Sequence, residues 1–164
     1  MKRVLALFVL AAPLMAVANS PDGAFYKKAA EGGMAEVEAG TLAQSKGDSQ
    51  KIKDFGSMMV KDHSAANDKL KALAATKDVT LPSTSSVGQM ATKAKLEVLT
   101  GDAFDKAYIK AQVQAHQDTI ALFRKEIASG QDADAQSFAK ATLPTVRSHL
   151  KAINAIAANA GVTQ

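Results

Sequence analysis

Cysteine and tryptophan are both absent from these 164 residues, and aromatic side chains make up only 5% of the chain. Without cysteine there is no disulfide, no thiolate metal site and no lipid-modified cysteine, so the fold must be held by packing alone. Few aromatics beside plentiful alanine, lysine, leucine and glutamine favour helices over a sheet-rich fold. Long apolar runs are scarce as well. The one from Val4 to Val17 is shorter than the roughly 20 residues that span a bilayer as a helix, and Pro13 interrupts it. No series of alternating strands of about ten residues suggests a barrel. A large excess of either charge is also missing: the formal net charge of +4 falls to +2 once Lys2 and Arg3 are removed. Acidic and basic residues are interleaved, as in KIKDF and KDHSAANDKLK, which is how solvated helix faces look rather than a phosphate-binding stripe. No nucleic-acid partner is expected.

What is present begins with a secretory signal. Lys2 and Arg3 precede the apolar run, and Ala16-Val17-Ala18 supplies a small-x-small cleavage site. Residues 1–18 are therefore expected to be removed, leaving an exported protein, periplasmic or extracellular, whose mature chain starts at Asn19. That chain has no integral membrane segment. Peripheral association with the envelope and oligomeric state are left open by the sequence. Residues 19–164 have the length of one domain able to enclose a core.

Helical periodicity organises that length. Ser20, Pro21 and Asp22 mark the start of a first helix that ends at Gly47. At about 100° per residue, Phe25, Ala29, Gly32, Glu36, Ala39, Gly40 and Ala43 share one face, so Glu36 sits in a stripe of small residues while Glu31 and Glu38 fall off it. A second helix follows Ser49, with Ile52, Phe55, Gly56, Met59, His63, Ala66, Leu70, Leu73 and Ala74 inward. Asn67 lies one turn after His63. Met58 and Met59 at this spacing are core filler before they are soft metal ligands. Pro82 in DVTLPSTSS ends this helix. A short amphipathic segment, Val87 to Leu99, then turns Val87, Met90, Ala91, Ala94 and Val98 to one side to cover a flank.

Asp102 is a candidate cap for a third long helix, whose inner face carries Tyr108, Ile109, Gln112, His116, Thr119, Ile120, Phe123 and Ile127. After SGQDAD a fourth places Ala135, Phe138, Thr142, Val146, His149, Ile153 and Ile156 on one face, with Pro144 expected to kink it. The class is thus all-α: a four-helix bundle with a short extra helix between the second and third long helices. The long crossover permits a ferritin-like order, and a simple up-and-down order stays open.

One inward polar residue falls near the middle of each long helix. Glu36 lies 11 residues before Gly47 and His63 14 after Ser49, while His116 and His149 lie 14 and 19 residues from Gly130. At about 1.5 Å of rise per residue these depths agree to within roughly two turns. Glu36, His63, His116 and His149 are therefore candidate ligands of one metal ion, with Asp62 and Asn67 at the edge or behind the ligands. Imidazole-rich ligation suits zinc or copper. A hydrogen-bonded network that fixes helix register would draw on the same residues.

The ordered pieces FYKKAAEGGMAEVEAG, MMVKDHSAAND, GDAFDKAYIKAQVQAHQDTIALF and LPTVRSHL, spread over Phe25 to Ala158 behind a signal peptide, resemble the bacterial family catalogued as domain of unknown function 4142. The resemblance implies a secreted, ferritin-like helical domain without an established activity, in which Glu36, Asp62, His63, His116 and His149 are the matching positions. Di-iron enzymes of ferritin-like fold use two Glu-x-x-His pairs, yet Val60 and Val146 stand three residues before His63 and His149. Ferroxidase or oxygenase chemistry is therefore not expected. Ser64 and Ser148 adjoin histidines in sequence but face elsewhere on their helices, so no catalytic triad forms. Two readings stand beside the minor one of a ferritin-like metalloenzyme: a non-catalytic metal-binding or stress-protective envelope domain, and a structural or interaction protein whose polar centre only sets packing.

Overall fold

The computed structural model describes residues 22–163. The expected signal, residues 1–18, and the Ser20-Pro21 cap lie outside the described residues. Among the described residues five helices follow one another: α1 (Gly23–Lys46), α2 (Gln50–Thr76), α3 (Val87–Glu97), α4 (Gly101–Ser129) and α5 (Ala133–Asn159). The four long ones form the bundle and α3 is the short extra helix. Among the described residues no helix is long and apolar enough to cross a membrane.

The topology is ferritin-like, and two carboxylates make it legible. Asp105, near the start of α4, accepts from the backbone N–H groups of Asp48 and Ser49, both at 2.9 Å, where α2 starts. Asp22, at the start of α1, accepts from the N–H of Gln131 at 2.9 Å and from that of Asp132, where α5 starts. So α2 and α4 begin at one end of the bundle and α1 and α5 at the other. α1 packs on α2 and α4, as α5 does, which makes every packed pair of long helices antiparallel. The crossover through α3 carries the chain back along the bundle and allows this order. Each carboxylate also satisfies N–H groups at a helix start that no intrahelical carbonyl can reach.

Ser49 caps α2 as expected, accepting from Ile52 N. Two caps differ from expectation. Asp22 occupies the N-cap of α1 without a side-chain bond to that helix, because its carboxylate is spent on α5. Thr100, not Asp102, is the N-cap of α4; Gly101 begins that helix with φ +58°, which only glycine adopts freely, and the exposed Asp102 pairs with Lys106 at 2.7 Å. α5 runs unbroken through Pro144, at an exposed position.

A larger correction concerns α3. Its expected inner stripe faces outward: Val87 is 79% and Val98 82% exposed, and Met90, Ala91 and Ala94 are exposed too. Only Leu96 is buried. The stripe holds small alanines whose burial removes little apolar area from water. Leu96 instead enters the core between α1 and α4, while Lys93 pairs with Glu38 at 3.6 Å and Lys46 donates to the carbonyl of Glu97 at 2.6 Å. These contacts, together with the Ser86/Gln89 capping box, set the roll of the helix. Along α1 the buried stripe takes in Tyr26, Ala30 and Gly33 rather than Ala29 and Gly32, a shift of one residue.

The apolar core falls into two clusters, one around Phe25, Tyr26, Leu70, Phe123 and Val146, the other around Ile52, Phe55, Met59, Phe104, Tyr108 and Ile153. Met59 is core filler, as its spacing implied. Between the clusters lies a polar layer, and this layer is the candidate site.

Candidate metal centre

Each histidine arrives from a different helix: His63 from α2, His116 from α4 and His149 from α5, at 7%, 1% and 2% exposure. Their ring centroids are 5.8 Å (His63–His116), 5.4 Å (His63–His149) and 5.5 Å (His116–His149) apart. One potential ligand atom from each residue lies within 4.8 Å of those of the other two. The parallel start of α2 and α4 and the opposite start of α5 put these mid-helix positions at one level, as the sequence depths implied.

The hydrogen bonds define the tautomers. Nδ1 of His116 is 2.8 Å from the carbonyl oxygen of Gln112, one turn earlier, and a carbonyl only accepts, so Nδ1 carries the proton. Nε2 of His149 donates to Oδ2 of Asp62 at 2.9 Å. The other nitrogens, Nε2 of His116 and Nδ1 of His149, have no partner among the described residues, nor does Nε2 of His63. Burial, and then the neighbouring His116 and His149, lower the His63 pKa to about 3. Burial also lowers that of His149, against the opposing pull of Asp62. For His63 and His149 burial thus favours the neutral ring, the form that can ligate a divalent metal. Phe55 flanks the cluster, its ring 6.3 Å from His116 and 6.5 Å from His149.

Glu36 stands to one side. Its Oε1 is 3.9 Å from Nδ1 of His116, the nitrogen already committed to a carbonyl, and it is outside the cluster of converging ligand atoms. Burial raises its pKa, partly offset by His116 and by a side-chain hydrogen bond from Gln112. Its Oε2, Oε1 of Gln112 and the Tyr108 hydroxyl are all buried without a partner. Asp62 is half-exposed and joined to His149. The Asn67 side chain packs over Gly33 of α1, at a spot that a Cβ there would occupy, and lines the same small cavity of about 30 Å³ as His63. Glu31 and Glu38, expected on solvated faces, are half-buried, with Lys27 at 3.9 Å and Lys93 at 3.6 Å respectively.

Sequence reasoning placed Gln112 on the inner face but missed that its backbone carbonyl orients His116; the only signal was its position one turn before that histidine. It also missed the burial of Asp22, read only as an acid at the start of the first helix, and of Asp105 and Glu126; nothing local marks a carboxylate that, like Asp22 and Asp105, serves a distant helix start.

Comparison with known proteins supports the same fold. A DUF305 fragment from Deinococcus radiodurans superposes with a TM-score of 0.76 at 9% identity, over 87% of this chain and 98% of that one. A candidate secreted DUF305 protein from Streptomyces coelicolor superposes with a TM-score of 0.74 at 14% identity, over 88% and 96% of the two chains. At these identities the likeness concerns fold alone. No curated protein sequence matches the chain. The sequence profile of one family matches residues 10–156, nearly the whole length, and the chain belongs to that family, the domain of unknown function DUF4142.

Proposed function

We propose that this chain is an exported, non-catalytic helical-bundle protein that binds one transition-metal ion, Zn²⁺ or Cu²⁺, through His63, His116 and His149. The observation that carries the reading is that three ring nitrogens, one from each histidine, are buried without partners among the described residues, in one cluster. A network evolved only to fix helix register would satisfy its members, since a buried unpaired polar atom costs about 1–3 kcal/mol. A metal ion satisfies all three at once. Asp62 then acts on His149 as an outer carboxylate acts on a zinc-bound imidazole, holding the tautomer and raising the basicity of the ring. Glu36 stands behind His116, its Oε1 3.9 Å from Nδ1 of that ring. A set of three imidazoles suits zinc or copper better than iron. Export rests on the Lys2-Arg3, apolar-run and Ala-Val-Ala pattern, and the candidate secreted neighbour supports it.

The test is calorimetric titration of chelator-treated, folded protein with Zn²⁺ and Cu²⁺, alongside melting curves. Saturable binding of one ion per chain at micromolar metal or below, with a raised melting temperature, is expected, and His116→Ala should remove both. No saturable binding, or a His116→Ala variant that binds as tightly as the parent, would overturn the reading.

A further inference from the structure

Arg124 and Arg147 are the only arginines of the chain besides Arg3. Both line one groove of about 580 Å³ between α4 and α5, together with Lys151. Its floor is apolar, with buried Ile120 on α4 and half-buried Leu150 on α5. No carboxylate lines it, and none of the three histidines does. The three cations are exposed, and none has an ion-pair partner among the described residues.

The acids of α4 near this stretch are turned elsewhere. Asp118 lines the cleft on the other side of the helix and accepts from Gln114 at 2.9 Å, while Glu126 is buried. Arg147 and Lys151 stand one turn apart on α5, a like-charge spacing that works against the helix, and Arg124 adds a third positive charge from α4. Other cations of the surface have an acid beside them: Lys27 has Glu31, Lys93 has Glu38 and Glu97, and Lys106 has Asp102. In the groove the repulsion is uncompensated, and an anion would relieve it.

The side chains narrow the kind of anion. Guanidinium forks match the paired oxygens of a phosphate or carboxylate, and a lysine adds a point charge. A phosphate monoester carries a charge of about −1.5 to −2 near pH 7 and three acceptor oxygens, which suits three cations better than the single charge and two oxygens of a carboxylate. A nucleic-acid strand needs a longer basic track than three side chains provide. The apolar floor favours a ligand that carries hydrocarbon beside its charge.

We propose that the α4–α5 groove binds a phosphate monoester with an apolar body, the phosphate held by Arg124, Arg147 and Lys151 and the body lying over Ile120 and Leu150. The site is independent of the metal reading.

Calorimetric titration of the chelator-treated protein with n-hexyl phosphate, methyl phosphate and hexanoate tests this, at low ionic strength, where exposed charges are least screened. Hexyl phosphate should bind saturably at one per chain, about tenfold tighter than methyl phosphate because its chain is taken out of water, and about fivefold or more tighter than hexanoate. Arg124→Gln and Arg147→Gln should each weaken it about fivefold or more. Lys110→Gln, which removes the same charge from an exposed position of α4 outside the groove, should bind as the parent does. Absence of saturable binding, equal binding of hexanoate or of methyl phosphate, or arginine variants no weaker than Lys110→Gln would overturn the proposal. Sedimentation with phosphatidylcholine vesicles containing phosphatidic acid, whose head group is the same monoester, distinguishes the source: retention that is lost in Arg124→Gln assigns a lipid, and no retention assigns a soluble ester. Zn²⁺ titration of Arg124→Gln should match the parent, which separates failure here from failure of the metal reading.

Discussion

His149 donates its Nε2 proton to Oδ2 of Asp62 at 2.9 Å, which leaves Nδ1 as a bare acceptor within the cluster it forms with His63 and His116. The half-exposed carboxylate thus selects the tautomer of a ring buried to 2% exposure. Asp62→Ala should leave the fold intact and weaken Zn²⁺ or Cu²⁺ binding by about 10–100-fold, the usual cost of losing a carboxylate behind a metal-bound histidine. Competition titration against a chelator of known affinity measures this; unchanged affinity would show that the tautomer is set by other means.

The same unpaired nitrogens carry a stability cost when no metal is bound. His63→Leu replaces one by an apolar side chain of similar size, so the chelator-treated variant should be more stable than the parent by about 1 kcal/mol in urea denaturation. It should also lose the metal-dependent rise in melting temperature. A variant destabilised in the absence of metal would mean that His63 contributes bonding to the fold itself.

Glu126 is 5% exposed, and burial, reinforced by Asp22 and Asp132, pushes its pKa from 4.5 to about 7. The fold favours the neutral carboxyl. Its contribution is fully present below pH 4.5 and is lost as pH rises to about 7 and beyond. Glu126→Gln should therefore be more stable than the parent by on the order of 1 kcal/mol at about pH 8, with that advantage gone near pH 4.5. Thermal melts of the two proteins across this range provide the comparison, and parallel pH profiles would contradict it.

α1 and α2 touch backbone to backbone where Gly40 meets Gly56. A Cβ on Gly40 would come within 2.8 Å of the Gly56 carbonyl oxygen, and one on Gly56 within 2.6 Å of that of Gly40. Backbone cannot swing aside, so Gly40→Ala should cost about 1–3 kcal/mol despite the better helix propensity of alanine. Gly88→Ala in α3 meets nothing within 4 Å and should be neutral or stabilising by under about 1 kcal/mol. Denaturant midpoints of the two variants should move apart; equal midpoints would mean that the helices can separate freely at this crossing.

The helices, the crossover and the inward positions of Glu36, His63, His116 and His149 were legible in the chain because each follows from a period of about 3.6 residues, read within one element at a time. His63, with Met59 and Leu70 on the same face, is a local pattern, and equal depth along two hairpins is arithmetic. Tertiary structure decided what depends on how one element meets another. The roll of α3 came from Leu96, Lys93 and Lys46 making contacts that its own apolar stripe did not announce. The division of labour between Glu36 and Asp62 came from which nitrogen of which ring faces each carboxylate. The tasks of Asp22 and Asp105 came from helix starts more than 50 residues away, whose N–H groups they accept from. Periodicity fixes the side of a helix that a residue faces. Only packing fixes the atom that it meets there.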